Sequence, residues 1–284
     1  MKVPPRLQPL IEEGLIDTVV RQLMSGKEAM VYVVRCGDET LCAKIYKEAT
    51  QRSFRQAVDY TENRKVKNTR QARAMAKGTR FGRQASEAAW QSAEVDALYR
   101  LAAAGVRVPT PYNFHEGVLL MELVADEDGE PAPRLNDLSL SEEDALAYHA
   151  VLIRQVVRML CAGIVHGDLS EYNVLVDAGG PVIIDLPQAV DAAANNNAKR
   201  MLGRDVDNLA DYFGQFAPQL LTTRYGDEIW ALYESGALHP DSELSGRFEE
   251  AAGDVNLDEV MQVIEAADEE EEERLARQAA ARAE

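Results

Sequence analysis

The chain has 284 residues, enough on a scale of roughly 150 residues per domain for one large domain or two lobes sharing a cleft. Apolar residues make up 46% and charged residues 27%, an ordinary globular balance that excludes a collagenous, wholly disordered or disulfide-framework protein. Thirty Lys and Arg against 48 Asp and Glu give a net charge of −18, which repels nucleic acid and anionic membrane unless a basic patch is segregated from the rest.

Residues 1–10 carry prolines rather than an apolar run, and the later apolar stretch 151–160 is broken by Arg154 and Arg158. Neither a signal peptide nor a membrane span is therefore expected. Cys36, Cys42 and Cys161 have no CxxC spacing, which supports neither a disulfide framework nor a structural zinc site and fits a reducing cytoplasm. Around residues 30–46 the text is β-branched and aromatic on both sides of Cys36-Gly37-Asp38-Glu39, whose Gly and Asp form turns, so two antiparallel strands are predicted. Residues 47–83 then hold eleven Lys and Arg against three Asp and Glu, a net +8 in a chain of −18. With few large apolar side chains this segment is expected to be mobile, either as a solvated, helix-prone loop or as a surface that binds phosphate or RNA.

A helix is predicted over 87–104, where Trp90, Val95, Leu98, Leu101 and Ala102 recur near helical spacing before Gly105. Residues 106–111 read as an extended connection, 118–124 as a buried strand, and 126–135, with Gly129, Pro131 and Pro133, as the linker between lobes. From Ser141, followed by Glu142, Glu143 and Asp144, a helix is predicted through Cys161, with Gly163 as its stop. Short strands at 174–176 and 182–184 are joined through Gly179-Gly180, and the remainder from Lys199 reads as mostly helical. Its acidic run, 268–273, is expected to be solvated.

The chemistry concentrates in His166-Gly-Asp-Leu-Ser-Glu-Tyr-Asn173 and Ile183-Ile-Asp185. The spacing, H-x-D-x-x-x-x-N and then an Asp, is that of the catalytic loop of protein-kinase-like phosphotransferases. Phosphoryl transfer needs an in-line acceptor and metal to neutralise the triphosphate. Asp168 would accept or orient the acceptor hydroxyl, while Asn173 and Asp185 would hold Mg²⁺ between the phosphates of ATP. Upstream, Ser25 and Gly26 sit where a phosphate-covering loop belongs. The Ser25 hydroxyl can donate to a phosphate, Gly26 permits close backbone approach, and Val31 can cover the adenine. Ala43-Lys44-Ile45 has the form of the lysine strand, with Lys44 toward the α- and β-phosphates and Lys47 as the alternative. A carboxylate must fix that lysine, Glu94 first and Glu87 second. Met121 would be the gatekeeper, with the backbone from Glu122 to Val124 reading the adenine edge.

These segments, together with Lys44-Ile-Tyr-Lys47, Gly129-Glu-Pro-Ala-Pro-Arg-Leu135 and Ile183-Ile-Asp-Leu-Pro-Gln188, resemble the RIO family of atypical serine/threonine protein kinases, most closely its type-one branch in bacterial or archaeal-like form. The resemblance spans about residues 20–235. It implies a two-lobed α+β fold of protein-kinase type with a trimmed C-lobe lacking an activation segment. Gly167 stands where ordinary kinases have Arg, and Leu186-Pro187 replace Phe-Gly. The implied division is an N-terminal extension 1–24, an N-lobe 25–124, a C-lobe 125–236 and an acidic helical tail 237–284. The activity implied is ATP- and Mg²⁺-dependent transfer to protein hydroxyls, the chain's own included, in the cytoplasm, with a ribosomal or RNA-containing partner or an ATPase switch as the family-level role. Two other readings remain open: a small-molecule kinase of aminoglycoside phosphotransferase type, and a nucleotide-gated binding module.

Overall fold

Short β-branched and apolar strands build the first half of the molecule. In the computed structural model, whose described residues are 3–26, 29–47 and 93–249, strands β1 (Thr18–Ser25), β2 (Ala29–Cys36) and β3 (Glu39–Tyr46) follow one another antiparallel. Strands β4 (Pro111–His115) and β5 (Val118–Glu122) complete a five-stranded antiparallel sheet in the order β1-β2-β3-β5-β4. The predicted hairpin is β2–β3, and its turn needs Gly37 at φ +60°.

Tyr32 and Val34 of β2, Leu41, Ala43 and Ile45 of β3, and Val118 and Leu120 of β5 form one face of this sheet. Leu7, Leu10 and Ile16 cover that face from a short helix, α1 (Gln8–Glu12), and its flanks, and all three are buried. Residues 1–24 are thus not an extension outside the N-lobe. The described part of that span supplies the sheet's first strand and the cover of its outer face, because this row of branched side chains would otherwise lie in water.

The opposite face carries Tyr46 and Leu119, which join the main core with Val95, Leu98 and Leu101 of a helix, α2, described over 93–103. That core continues into the C-lobe through α3 (Glu142–Cys161), α4 (Ala198–Gly214) and α5 (Tyr225–Glu234). The α3 N-terminus is capped by Ser141, whose hydroxyl accepts from the Asp144 N–H at 3.1 Å. Two small antiparallel pairs lie among the helices: β6 (Ile164–Val165) with β9 (Val190–Asp191), and β7 (Val174–Asp177) with β8 (Gly180–Ile183). Since α4 begins at Ala198, 13 residues after Asp185, and β9 occupies part of that interval, the chain has no length there for an activation segment. The architecture is α+β and two-lobed, with a trimmed C-lobe.

The basic segment 47–83 lies outside the described residues except for Lys47, as does the first part of the helix predicted over 87–104. Of the tail expected to be helical over 237–284, the described residues 237–249 are turns and irregular backbone, and the rest lies outside the described residues. No helix among the described residues is long and apolar enough to cross a membrane.

Candidate active site

The cleft face of the sheet sets the first half of the site. Because side chains of directly opposed residues share a face, the pairing Val31↔Lys44↔Leu119 lays Lys44 between two apolar neighbours, with Met121 opposite Cys42 two residues along. Lys44 points at α2, where its Nζ donates to Glu94 Oε1 at 2.6 Å, and across the cleft, where it donates to Asp185 Oδ1 at 3.1 Å. It also stands 5.5 Å from the centroid of the Tyr46 ring. Burial alone would lower the lysine's pKa, but Glu94 and Asp185 carry it well above the ordinary value. Glu94 is only 5% exposed, and its Oε2 has no hydrogen-bond partner among the described residues. Lys47 is placed differently, with its ammonium on the Gly26 carbonyl (2.5 Å) and 3.5 Å from Ser25 Oγ. It therefore ties down the backbone of Gly26 at the end of β1 while Lys44 reaches the carboxylates. Glu87 lies outside the described residues.

The second half is built on the C-lobe. Asp185 follows β8 with φ +66°, a left-handed conformation that non-glycine residues seldom adopt and that marks functional sites when the surroundings enforce it. Burial would raise its pKa, but the Lys44 ammonium, with the Arg134 guanidinium adding to it, holds it below the usual carboxylate range. Asn173 donates from Nδ2 to the Asp168 carbonyl at 2.8 Å, and its Oδ1 remains an acceptor. Asp168 Oδ2 accepts from Gln188 Nε2 at 3.3 Å. Burial, and the nearby Asp185 carboxylate, push the Asp168 pKa up against the pull of Arg204. His166 is buried, which lowers its pKa. Its Nε2 lies 3.1 Å from the Ile184 carbonyl and its Nδ1 accepts from the Asp168 N–H at 3.3 Å. Both contacts select the neutral ring with the proton on Nε2.

The catalytic-loop backbone is held by α4 through residues that spacing did not reveal. Asp205 Oδ2 accepts the Gly167 N–H at 2.7 Å and Oδ1 accepts the Leu169 N–H at 3.0 Å. Arg204 donates to the Gly167 carbonyl, and Asn208 Nδ2 to the Leu169 carbonyl at 2.9 Å. Gly167 has φ +82°, and a Cβ there would come within 2.7 Å of the Gln188 carbonyl. This explains glycine where ordinary kinases place Arg.

At the junction of the lobes Met121 is half-buried, and the Glu122 N–H is taken by the Thr110 carbonyl at 2.8 Å. The Glu122 carboxylate binds the Thr110 N–H and hydroxyl and the Arg107 guanidinium, which also pairs with Asp177 of β7. The Val124 carbonyl accepts from the Ala132 N–H at 3.0 Å. Two of the backbone groups that could have read an adenine edge are thus committed within the fold. Farther back, Arg100 Nη2 donates to the Ala162 carbonyl at 2.7 Å, tying the end of α2 to the C-lobe behind α3.

Lys44, Glu94, Asp168, Asn173 and Asp185 thus converge on one cleft, with Ser25, Gly26 and Val31 on the sheet above it. Among the described residues no cluster of three or more His, Cys, Asp or Glu is placed to hold a metal alone. The Asn173 amide oxygen and the Asp185 carboxylate would instead offer a two-residue oxygen set. That set fits Mg²⁺, which keeps water and substrate phosphates as most of its ligands.

Residues 30–225 match the family model of the RIO domain. The chain is 37% identical over 207 residues to the RIO-type serine/threonine-protein kinase Rio1 of Haloferax volcanii, covering 72% of this chain and 66% of that protein. It is 31% identical over 217 residues to the serine/threonine-protein kinase RIO1 of Caenorhabditis elegans, and 30% identical over 217 residues to that of Homo sapiens. Each of these two alignments covers 76% of this chain, with 41% of the nematode protein and 36% of the human one. The chain therefore spans just under two thirds of the archaeal relative and about two fifths of the animal ones.

Proposed function

The chain belongs to the RIO domain family, and from that premise we propose that it is an ATP- and Mg²⁺-dependent serine/threonine protein kinase that phosphorylates protein hydroxyls, its own included. What carries this reading is the meeting of Lys44 with both Glu94 and Asp185, opposite Asp168 and Asn173. Lys44, held rigid by Glu94, orients the α- and β-phosphates. Ser25 and Gly26 close over them, and the Asn173 Oδ1 and Asp185 carboxylate would hold the metal. Mg²⁺, when bound, neutralises charge on the phosphate oxygens. Asp168 takes the proton of the acceptor hydroxyl as the O–P bond to the γ-phosphorus forms and the bond to the β–γ bridging oxygen breaks, releasing ADP. Its upward-shifted pKa suits a base that must accept that proton and later give it up.

With α4 beginning 13 residues after Asp185, that interval offers no platform for an extended peptide. The acceptor is then a folded partner or the chain's own 47–83 segment, which carries Ser53, Thr61 and Thr69. Incubation with γ-labelled ATP and Mg²⁺ is expected to label the protein on serine or threonine and to leave a panel of aminoglycosides unlabelled. Stoichiometric label on the antibiotic with none on protein would sink the reading, and phosphate release with neither labelled would favour an ATPase switch.

The cellular setting we infer is the cytoplasm, with an RNA-containing or ribosomal partner meeting the +8 segment 47–83. Electrostatic binding of that kind follows counterion release. Affinity for a single-stranded RNA should then fall by orders of magnitude between roughly 50 and 200 mM salt if about six or more phosphates are contacted. Salt-independent binding, or none, would remove RNA from the partner list.

A further inference from the structure

Beyond the five residues that converge on the cleft, the connection between β5 and α3 brings one more cation to its mouth. The backbone of Arg134 is pinned from behind: it bridges Leu175 of β7, and the next residue, Leu135, is fully buried with its carbonyl accepting from Tyr212 Oη at 2.7 Å. The side chain runs forward, to place Nη2 3.6 Å from Met24 Sδ on β1, next to Ser25 and Gly26. A thioether is a weak acceptor, and a guanidinium carries five N–H donors. Among the described residues no carboxylate lies within ion-pair distance of Arg134, although it is close enough to Asp185 to help depress that group's pKa.

The charge inventory of the cleft is unfavourable for a polyphosphate without it. Glu94, Asp168 and Asp185 supply three carboxylates against the ammonium of Lys44 and the Arg204 guanidinium, whose field reaches Asp168. The neighbouring cations Lys47 and Arg204 are turned to the backbone carbonyls of Gly26 and Gly167. The planar fork of Arg134, half-buried and anchored at its backbone, matches phosphate oxygens better than it matches sulfur.

We propose, resting on the kinase reading of the cleft, that Arg134 is a nucleotide-binding residue that exchanges the Met24 sulfur for phosphate oxygens of the bound nucleotide and grips the polyphosphate from the side opposite Lys44. Binding of Mg-ATP, Mg-ADP and adenosine to the full chain, followed by calorimetry, tests this in the wild type and in Arg134→Ala, Arg134→Lys and Lys44→Ala. Arg134→Ala is expected to weaken ATP and ADP by about tenfold or more, the worth of a charge-assisted hydrogen bond. It should leave adenosine and the thermal midpoint unchanged, and Arg134→Lys should recover part of the loss. Wild-type affinity for ATP in Arg134→Ala, while Lys44→Ala loses it, would overturn this inference alone. So would an equal loss for adenosine, which would mark a role in shaping the linker. A wild-type chain that binds no Mg-nucleotide would overturn the kinase reading together with it.

Discussion

Lys44→Ala and Asp185→Ala are each expected to lower phosphotransfer by ~10²–10³, the usual cost of removing one preorganised charge from a developing transition state. Each residue holds the other, at 3.1 Å across the cleft, so the losses should be less than additive in the double variant. Lys44→Ala also strips Glu94 of its partner at a position only 5% exposed. Breaking a buried pair that way costs about 3–5 kcal/mol of stability. Lys44→Met combined with Glu94→Gln removes the orphaned charge, so a folded variant is available in which lost activity reports chemistry rather than unfolding. Asp168→Asn should behave differently, keeping Mg-nucleotide affinity while losing transfer, because Asp168 contacts Gln188 and the acceptor side rather than Lys44. Near-normal transfer by Lys44→Ala would move the role to Lys47, which the geometry instead places on the Gly26 carbonyl.

Much of the site was legible in sequence because motif residues lie close together in the chain or at fixed places on strands. His166, Asp168, Asn173 and Asp185 are separated by fixed short spacings, and Lys44 is marked by its strand. Glu94 could be named because a buried lysine demands a carboxylate from the next helix. The N-lobe edges were not legible. Strand β1 has Arg21 and Gln22 at its centre and two register irregularities, between Val19 and Arg21 and between Gln22 and Met24, so its period of two is broken. Strand β4 opens on Pro111, which reads as a connection but is tolerated as the first residue of a strand at the edge of the sheet. The cover formed by Leu7, Leu10 and Ile16 is a tertiary fact with no local signature. Asp205 did leave a trace. It stands four residues from Met201 and from Leu209, both buried, and so interrupts the apolar stripe of α4 with a charge that has to find a partner.

That partner is the catalytic-loop backbone, and removing it should have the second large effect. Asp205 is 1% exposed, and its two oxygens take the N–H groups of Gly167 and Leu169, the residues on either side of Asp168. Asp205→Ala orphans both donors in the interior at about 1–3 kcal/mol each, a large share of the roughly 5–15 kcal/mol that holds a domain together. Asp205→Asn keeps the shape but offers one acceptor where two are needed, and its amide hydrogens face an N–H. It should fold and lose kcat by one to two orders of magnitude, on the order of 1.4–2.7 kcal/mol in barrier, with KM for ATP little changed because the phosphates rest on Lys44. Its pH profile separates positioning from bulk structure. Burial, offset in part by the two N–H donors and Arg204, raises the Asp205 pKa to about 7 from 3.8. As pH falls through 7 the folded state takes up this proton before the unfolded state does. The group's burial penalty then eases and stability from this source rises, while the loop loses an acceptor and kcat should drop. The Asn variant should lack that limb of the profile. If its kcat and acid limb match those of the wild type, Asp205 is only a core residue, and the register of Asp168 is set by Asn173 and Gln188 instead.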